Sequence, residues 1–121
     1  MKSAWLPLAV VMAAVTLHAA SPVAGVWAGR FPDRLPAVTL RVVDHAGELS
    51  GAVIFYINEN EEIVGAEERP LVHARFDNGV LTFEVTRPGD SQALRFQMKL
   101  VTAGAGELKG EGQSIKMKKV E

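Results

Sequence analysis

The sequence predicts an all-β fold: an antiparallel up-and-down barrel of about eight short strands that follows an N-terminal signal helix. Three observations predict it. Apolar and polar residues alternate with a period of two in most segments, turn residues separate these segments, and nothing after residue 22 keeps a helical period. Every connection is short enough for a hairpin, which favours a barrel because a Greek-key sandwich needs a long crossover. Another all-β arrangement such as a small sandwich is the alternative.

Residues 1–20 have the order of a cleavable signal peptide. Lys2 gives a positive start, residues 4–17 are apolar, and small residues precede Pro22. The apolar run is shorter than the roughly 20 residues that span a bilayer. We therefore expect export to the periplasm or the extracellular space, with no stable membrane anchor after cleavage. An uncleaved anchor is the alternative, and the expected cleavage positions follow Ala19, Ala20 or Ser21.

Residues 21–121 are then expected to form a single β-barrel domain. Removal of Lys2 would lower the 13 Lys and Arg to 12 against 14 Asp and Glu. A near-neutral domain lacks the positive field that non-specific nucleic-acid binding needs, so no nucleic-acid partner is expected. The absence of cysteine excludes thiol catalysis, zinc–thiolate sites, a lipoprotein anchor and disulfides. A continuous apolar core must therefore stabilise the fold.

Turns are predicted wherever glycine, proline, asparagine or aspartate interrupt the alternation. Residues 77–79 contain Asn-Gly, the strongest short hairpin pattern in the chain. Residues 31–36 contain two prolines, which cannot donate to a strand ladder, so a loop is expected there. Further turns are predicted at residues 44–47, 58–62, 87–90, 103–106 and 110–112.

The strands are predicted between these turns. Residues 26–31 form the first strand, and residues 94–100 have the cleanest alternation, with Leu94, Phe96, Met98 and Leu100 on one face. Residues 53–57 are apolar on both faces, which predicts a strand that is covered twice or lies at a contact surface. The segment 63–68 is the least defined connection. Other alternating segments are 38–42, 81–85 and 115–117.

Gly25-Val26-Trp27 resembles the Gly-x-Trp pattern that opens the first strand of calycin barrels, the lipocalin and avidin group. The resemblance implies that the glycine allows close entry of the chain and that the tryptophan plugs the closed end of the barrel. Residues 48–51 and 78–83 are also similar to hairpins that are common in small exported barrels of this type.

The chain departs from the calycin pattern at its C-terminal end. Lipocalins have an arginine near the end of the last strand that packs on the tryptophan, whereas residues 107–121 contain only lysines as cations. Lys116 and Lys118 are the candidate replacements, although lysine does not stack as arginine does. The Thr-Asp-Tyr loop motif is missing, and avidin-type biotin contacts have no counterparts.

The inward positions of the predicted strands are nearly all apolar, which favours a binding protein over an enzyme. We expect a small apolar ligand in or at the mouth of the barrel, because a barrel of eight strands is filled by side chains or holds one small ligand. In the alternative, the same side chains pack on one another and the outer surface binds a protein partner through residues 52–57 and 30–36. The candidate ligand-binding residues are Trp27, Val53, Phe55, Phe76, Phe83, Phe96 and Met98.

No catalytic residue, metal site or cofactor is predicted. His45 and His73 lack the spacing of paired metal ligands and are expected at the surface. Residues 58–62, with Glu67 and Glu68 beyond them, lack the alternate ligands and glycine of a calcium loop, so a solvated acidic loop is expected. A hydrolase is the remote alternative, and it would need a polar cluster around His45 or His73. The remaining candidates, Ser50, Ser91, Ser114 and the glycines of 104–106, lie outside nucleophile-elbow and phosphate-loop motifs.

Overall fold

A computed structural model describes residues 21–30, 35–86 and 92–121 of the chain. The described residues contain nine antiparallel strands in a single sheet and no helix. The strands are β1 Gly25–Arg30, β2 Pro36–His45, β3 Glu48–Glu59, β4 Glu62–Pro70, β5 Val72–Asp77, β6 Val80–Val85, β7 Leu94–Thr102, β8 Ala105–Gly110 and β9 Gln113–Lys119.

The all-β antiparallel fold predicted from the alternation is confirmed. The sheet order is β4-β3-β2-β1-β9-β8-β7-β6-β5, so the first and last strands pair with each other. Every other pair of neighbours in the sheet is consecutive in the chain. The consecutive strands β4 and β5 do not pair with each other and are the two ends of the sheet. The strand count is one higher than the predicted number of about eight. The segment 63–68, expected to be an ill-defined connection, is part of β4.

The sheet curls into a half-barrel whose two ends are β4 and β5. The amide of Leu71, between these strands, donates to the carbonyl of Gly51 in β3 at 3.0 Å, and β5 contacts β3. The chain therefore leaves β4 to pass against β3 instead of turning back alongside β4. The complete closure expected from the sequence is not reached between β4 and β5.

Four hairpins turn through two consecutive residues with positive φ. Asn78 and Gly79 have φ values of 52° and 77°, as expected from their Asn-Gly pair. Ala46–Gly47, Asn60–Glu61 and Glu111–Gly112 have the same pair of positive φ values. This backbone matches the right-handed twist of adjacent strands, so the turns fix the register of the meander.

The inner face of the half-barrel forms one continuous apolar core. Its largest fully buried side chains include Trp27, Leu40, Leu81, Phe83 and Met98. In β7, Phe96 and Met98 are less exposed than their neighbours Arg95, Gln97 and Lys99, as the alternation predicts. Each fully buried large side chain contributes about 1.5–3 kcal/mol of transfer free energy. The domain therefore has an apolar core without needing disulfides.

Some predictions concern residues outside the described ranges. The signal peptide at residues 1–20, part of the loop at 31–36, the turn at 87–90 and Ser91 belong to this group. Among the described residues, none forms a helix with the length and apolar character needed to cross a membrane.

Candidate functional site

A cavity of about 260 Å³ lies at one end of the half-barrel. We call this end the mouth; its lining includes Ala37 near the start of β2, Leu94 at the start of β7, and Glu111 in the turn between β8 and β9. Apolar side chains from six strands line the cavity, so the cavity is an extension of the core toward solvent. Those side chains are Val38, Phe55, Val85, Leu94, Phe96, Leu108 and Ile115.

Phe96 is the central aromatic residue of this end. Its ring centroid lies 5.7 Å from that of Phe55 and 5.6 Å from that of Phe83. Phe55 is on β3 and Phe96 is on β7, so their contact bridges opposite parts of the curled sheet. Both rings are partly exposed, whereas Phe83 is buried below them. The pair of Phe55 and Phe96 therefore forms the aromatic wall of the cavity.

Two charged residues of β4, Glu67 and Arg69, also line the cavity. Arg69 is directly opposite Val53 and Glu67 is directly opposite Phe55 in the β3–β4 register. Directly opposed residues share a face of the sheet, so both charged side chains belong to the inner face. The Nη2 atom of Arg69 lies 3.7 Å from Oε2 of Glu67, and Nη1 donates to the carbonyl of Glu68 at 3.3 Å.

The Nε donor of the Arg69 guanidinium is unused. Its Nε atom is buried and has no hydrogen-bond partner among the described residues. Burying an amide-like donor without a partner costs about 1–3 kcal/mol. A ligand with a hydrogen-bond acceptor would remove this cost, so Nε is the chemically specific feature of an otherwise apolar cavity.

Sequence reasoning missed Glu67 and Arg69. It placed Glu67 beyond the acidic loop of residues 58–62, in the least defined connection 63–68, whereas Glu67 is in strand β4 and lines the cavity. In the sequence, Glu67 and Arg69 alternate with Ala66 and Glu68, as expected for a strand. Both faces of this strand carry charged residues, however. An apolar–polar pattern therefore could not show which face points inward.

The end opposite the mouth is closed around Trp27. Trp27 is fully buried, and its indole Nε1 donates to the carbonyl of Val23 at 2.9 Å. The Nζ atom of Lys119 lies 5.8 Å from the ring centroid. Lys119, not Lys116 or Lys118, therefore covers the tryptophan. The physical reason is the two-residue period of β9, which puts Lys119 on the inner face with Ile115 and Met117 and directly opposite Trp27.

The structure separates the seven predicted ligand-binding residues into three groups. Phe55 and Phe96 line the cavity. Trp27, Val53, Phe83 and Met98 are closely packed and buried in the core. Phe76 is partly buried and packs against this core.

A second depression, of about 590 Å³, lies on the outer face of β5–β8. His73 has a φ of 54° at a register irregularity in β5, and its Nδ1 lies 2.7 Å from Oε2 of Glu84. Arg95 Nε lies 3.7 Å from the other oxygen of Glu84. This is a polar cluster of the kind that the hydrolase alternative requires. His73 is 76% exposed, however, and Thr82 supplies the only hydroxyl among the described lining residues.

An open depression with an exposed imidazole is a weak setting for catalysis. Electrostatic stabilisation of a transition state is strongest where water is excluded and the dipoles are fixed. The interior cavity has a more defined shape and a buried polar atom, so it is the stronger candidate site.

The other candidates lie apart from both sites. His45 ends β2 and is exposed, and Ser50 and Ser114 are exposed on β3 and β9. Residues 58–62 form the tip of the β3–β4 hairpin. Within the described part of the chain, no group of three or more His, Asp or Glu residues could hold a metal ion.

Comparison of the chain with protein-family models, curated proteins and solved structures gave no match.

Proposed function

We propose that the chain is an exported, non-catalytic binding protein of the calycin-like type, and that it holds a small apolar molecule at the mouth of the half-barrel. The observation that carries this proposal is the apolar cavity of about 260 Å³ whose aromatic wall is formed by Phe55 and Phe96. Ligand sites in proteins are concave, mostly apolar, and contain few polar groups that orient the ligand. The Gly25-Val26-Trp27 start and the buried Trp27 at the opposite end support the calycin-like assignment.

Isopropylbenzene is a suitable first probe because it is neutral and apolar and small enough for this cavity. We expect saturable binding in an NMR titration, with chemical-shift changes at Phe55, Phe96 and Ile115. Native mass spectrometry of the purified chain should in addition show any ligand that is retained from the producing cell. A titration without saturable shifts at these residues contradicts the proposal.

A matched pair of tryptophan substitutions localises the binding. Ile115→Trp adds volume to the cavity wall, so it should reduce isopropylbenzene binding at least tenfold. Ile63→Trp adds the same ring at an exposed position of β4 and should leave binding unchanged. Circular dichroism establishes that both variants are folded. Equal binding by the two variants would place the probe elsewhere on the molecule.

Export is part of this proposal. Residues 1–20 have the composition of a signal peptide, and the backbone amide of Ser21, the next residue, donates to Oδ2 of Asp44 at 2.6 Å. Intact-mass measurement of the chain recovered from outside the cytoplasm should show a start after Ala19, Ala20 or Ser21. Recovery of only the full-length chain from the cytoplasm contradicts export.

A protein-interaction module is the second candidate function, and the β3–β4 hairpin favours it. β4 is at one end of the sheet, and Ile57, Ile63 and Val64 are exposed near the hairpin tip. Ile54 and Tyr56, on the outer face of β3, are half-buried, and the Tyr56 and Thr39 hydroxyls are 2.9 Å apart. An end strand with exposed apolar residues can pair with a strand of another protein.

Site-specific photo-crosslinking in the producing cell tests this candidate. A photoreactive residue at Val64, which is 54% exposed, should give a defined crosslinked product. The same residue at Val101, which is 70% exposed on β7, serves as the control. No product at Val64, or the same product from both positions, contradicts a docking role for the hairpin.

A further inference from the structure

The buried Nε of Arg69 restricts the chemistry of a molecule that fits the cavity. The other two guanidinium nitrogens lie near Glu67 and the carbonyl of Glu68, whereas Nε has no partner among the described residues. A guanidinium has donors only and accepts no hydrogen bond. The complementary group on a ligand is therefore a hydrogen-bond acceptor.

The charges around the mouth favour a neutral acceptor over an anion. Arg69 is the one cation among the described lining residues, and Glu67 and Glu111 are the two carboxylates. Their formal sum is negative before any ligand enters. A ligand carboxylate would be attracted by Arg69 but repelled by Glu67, which already shares that guanidinium. A carbonyl or ether oxygen accepts from Nε without adding charge.

The cavity volume sets the size of the ligand. An engineered apolar cavity of about 150 Å³ holds benzene. By proportion, the cavity of about 260 Å³ holds a molecule of about ten non-hydrogen atoms. The aromatic wall of Phe55 and Phe96 suits a flat or ring-bearing body, because aromatic pairs gain from stacked or edge-to-face contacts.

We propose that the cavity selects neutral, ring-bearing molecules of about ten non-hydrogen atoms that carry one carbonyl-type acceptor, which accepts a hydrogen bond from Nε of Arg69. This inference rests on the proposed function, since it specifies the ligand class of the same site. It also assigns Arg69 as the residue that orients the ligand.

Three probes of the same size separate the contribution of the acceptor from that of charge. Acetophenone carries a neutral carbonyl, isopropylbenzene replaces its oxygen with a methyl group, and benzoate replaces its methyl group with a second, charged oxygen. All three have the same number of non-hydrogen atoms. NMR titration of the full chain should give an acetophenone dissociation constant about tenfold lower than that of isopropylbenzene, the size expected for a hydrogen bond to a charged donor. Benzoate should bind more weakly than acetophenone.

Variants of Arg69 test whether Nε is the donor. Arg69→Met removes the guanidinium and keeps an unbranched side chain, so isopropylbenzene should still bind while the preference for acetophenone is lost. Arg69→Lys keeps the positive charge but has no Nε atom, and it should lose the same preference. Arg41→Met is the matched control, since Arg41 pairs with Glu68 on the outer face at 3.4 Å and should not affect selectivity.

The outcomes distinguish this inference from the proposed function. If none of the probes binds to the wild-type chain, the proposed function fails, and the inference fails with it. If isopropylbenzene binds as tightly as acetophenone, or if Arg69→Met and Arg69→Lys keep the preference, the binding function stands and the role of Arg69 is overturned. If benzoate binds most tightly of the three probes, the proposal that the cavity selects neutral molecules is overturned.

Discussion

Gly110 lies so close to Phe96 that a Cβ atom at this position would overlap Cδ1 of the phenyl ring. Gly110 ends β8, and Phe96 is on the neighbouring strand β7. The glycine therefore allows the Phe96 ring to lie against the backbone of β8 and leaves open the space that becomes the cavity. Glycine is needed at this position because the Phe96 ring lies so close to the backbone, and not for its backbone conformation, since Gly110 has no positive φ value.

Gly110→Ala should reduce the cavity volume. The added methyl group forces the Phe96 ring away from β8, and the cavity is the adjacent free space. We expect isopropylbenzene binding to fall at least tenfold and the free energy of unfolding to fall by about 1–3 kcal/mol, as for other overpacked sites. NMR titration and urea unfolding measure the two effects.

Gly104→Ala is the control for this substitution. A Cβ atom at Gly104 meets nothing within 4 Å, so the same chemical change should leave ligand binding unaltered. Unchanged binding by Gly110→Ala would show that Phe96 does not limit the cavity.

Trp27→Phe tests the closed end of the half-barrel. The smaller ring leaves a void in the core and removes the donor that pairs with the Val23 carbonyl at 2.9 Å. The combined loss should be about 2–4 kcal/mol in the free energy of unfolding. Urea unfolding followed by circular dichroism measures it. Val101→Ala, at an exposed position of β7, is the control and should change the free energy of unfolding by less than about 0.5 kcal/mol. An equally small change for Trp27→Phe would contradict a structural role for the indole.

The alternation of the sequence was sufficient to predict the inner face of β7 and most turns. Phe96 and Met98 point inward and Arg95 and Gln97 point outward, because one buried face imposes a period of two. The Asn78–Gly79 turn followed from residues that tolerate positive φ. These features depend on local rules, which act within a few residues of the chain.

The cavity and its charged residues could not be predicted in the same way. Glu67 and Arg69 lie on the inner face of an end strand, where the sheet does not close, and charges are tolerated there because solvent is near. Which face of β4 points inward depends on its register with β3, and this register shifts at an irregularity between Ile57 and Asn58. A one-residue shift exchanges the two faces of a strand. The size of the space beside Gly110 and Phe96 depends on packing between strands and has no periodic signature.

Glu61→Gly should stabilise the β3–β4 hairpin. Glu61 has a φ of 65°, which costs an L-residue about 1–2 kcal/mol, and glycine avoids this cost. The greater chain entropy of glycine in the unfolded state offsets about 0.5–1 kcal/mol of the gain. We expect a net increase of about 0.5–1 kcal/mol in the free energy of unfolding, measured with urea.

The next residue provides the control for the turn. Glu62→Gly changes the first residue of β4, which has no positive φ, so it should destabilise the fold by about 0.5–1 kcal/mol. The prediction requires that Glu61→Gly raises the free energy of unfolding and that Glu62→Gly lowers it. If Glu61→Gly instead lowers the free energy of unfolding, the Glu61 side chain stabilises the folded state by more than its backbone strain costs.

The last prediction concerns the pKa of Glu107 on β8. A hydrogen bond from Ser114 and the neighbouring Lys109 ammonium, 3.3 Å away, hold the pKa of this carboxyl below its ordinary value of 4.5. Ser114→Ala removes the largest single cause, so the pKa of Glu107 should rise toward 4.5. NMR titration of the Glu107 carboxyl measures this change, and Ser50→Ala on β3 should leave it unaltered.

The direction of the pKa shift fixes the direction of its effect on stability. A carboxyl whose folded pKa is lowered binds fewer protons in the native state than in the unfolded state. Its contribution is therefore fully present above the unfolded pKa and is lost as the pH falls through the folded pKa. Wild type should lose more stability than Ser114→Ala when the pH is lowered from neutral to well below 4.5. Parallel losses in the two proteins would show that the Ser114 hydroxyl does not stabilise the charged form of Glu107.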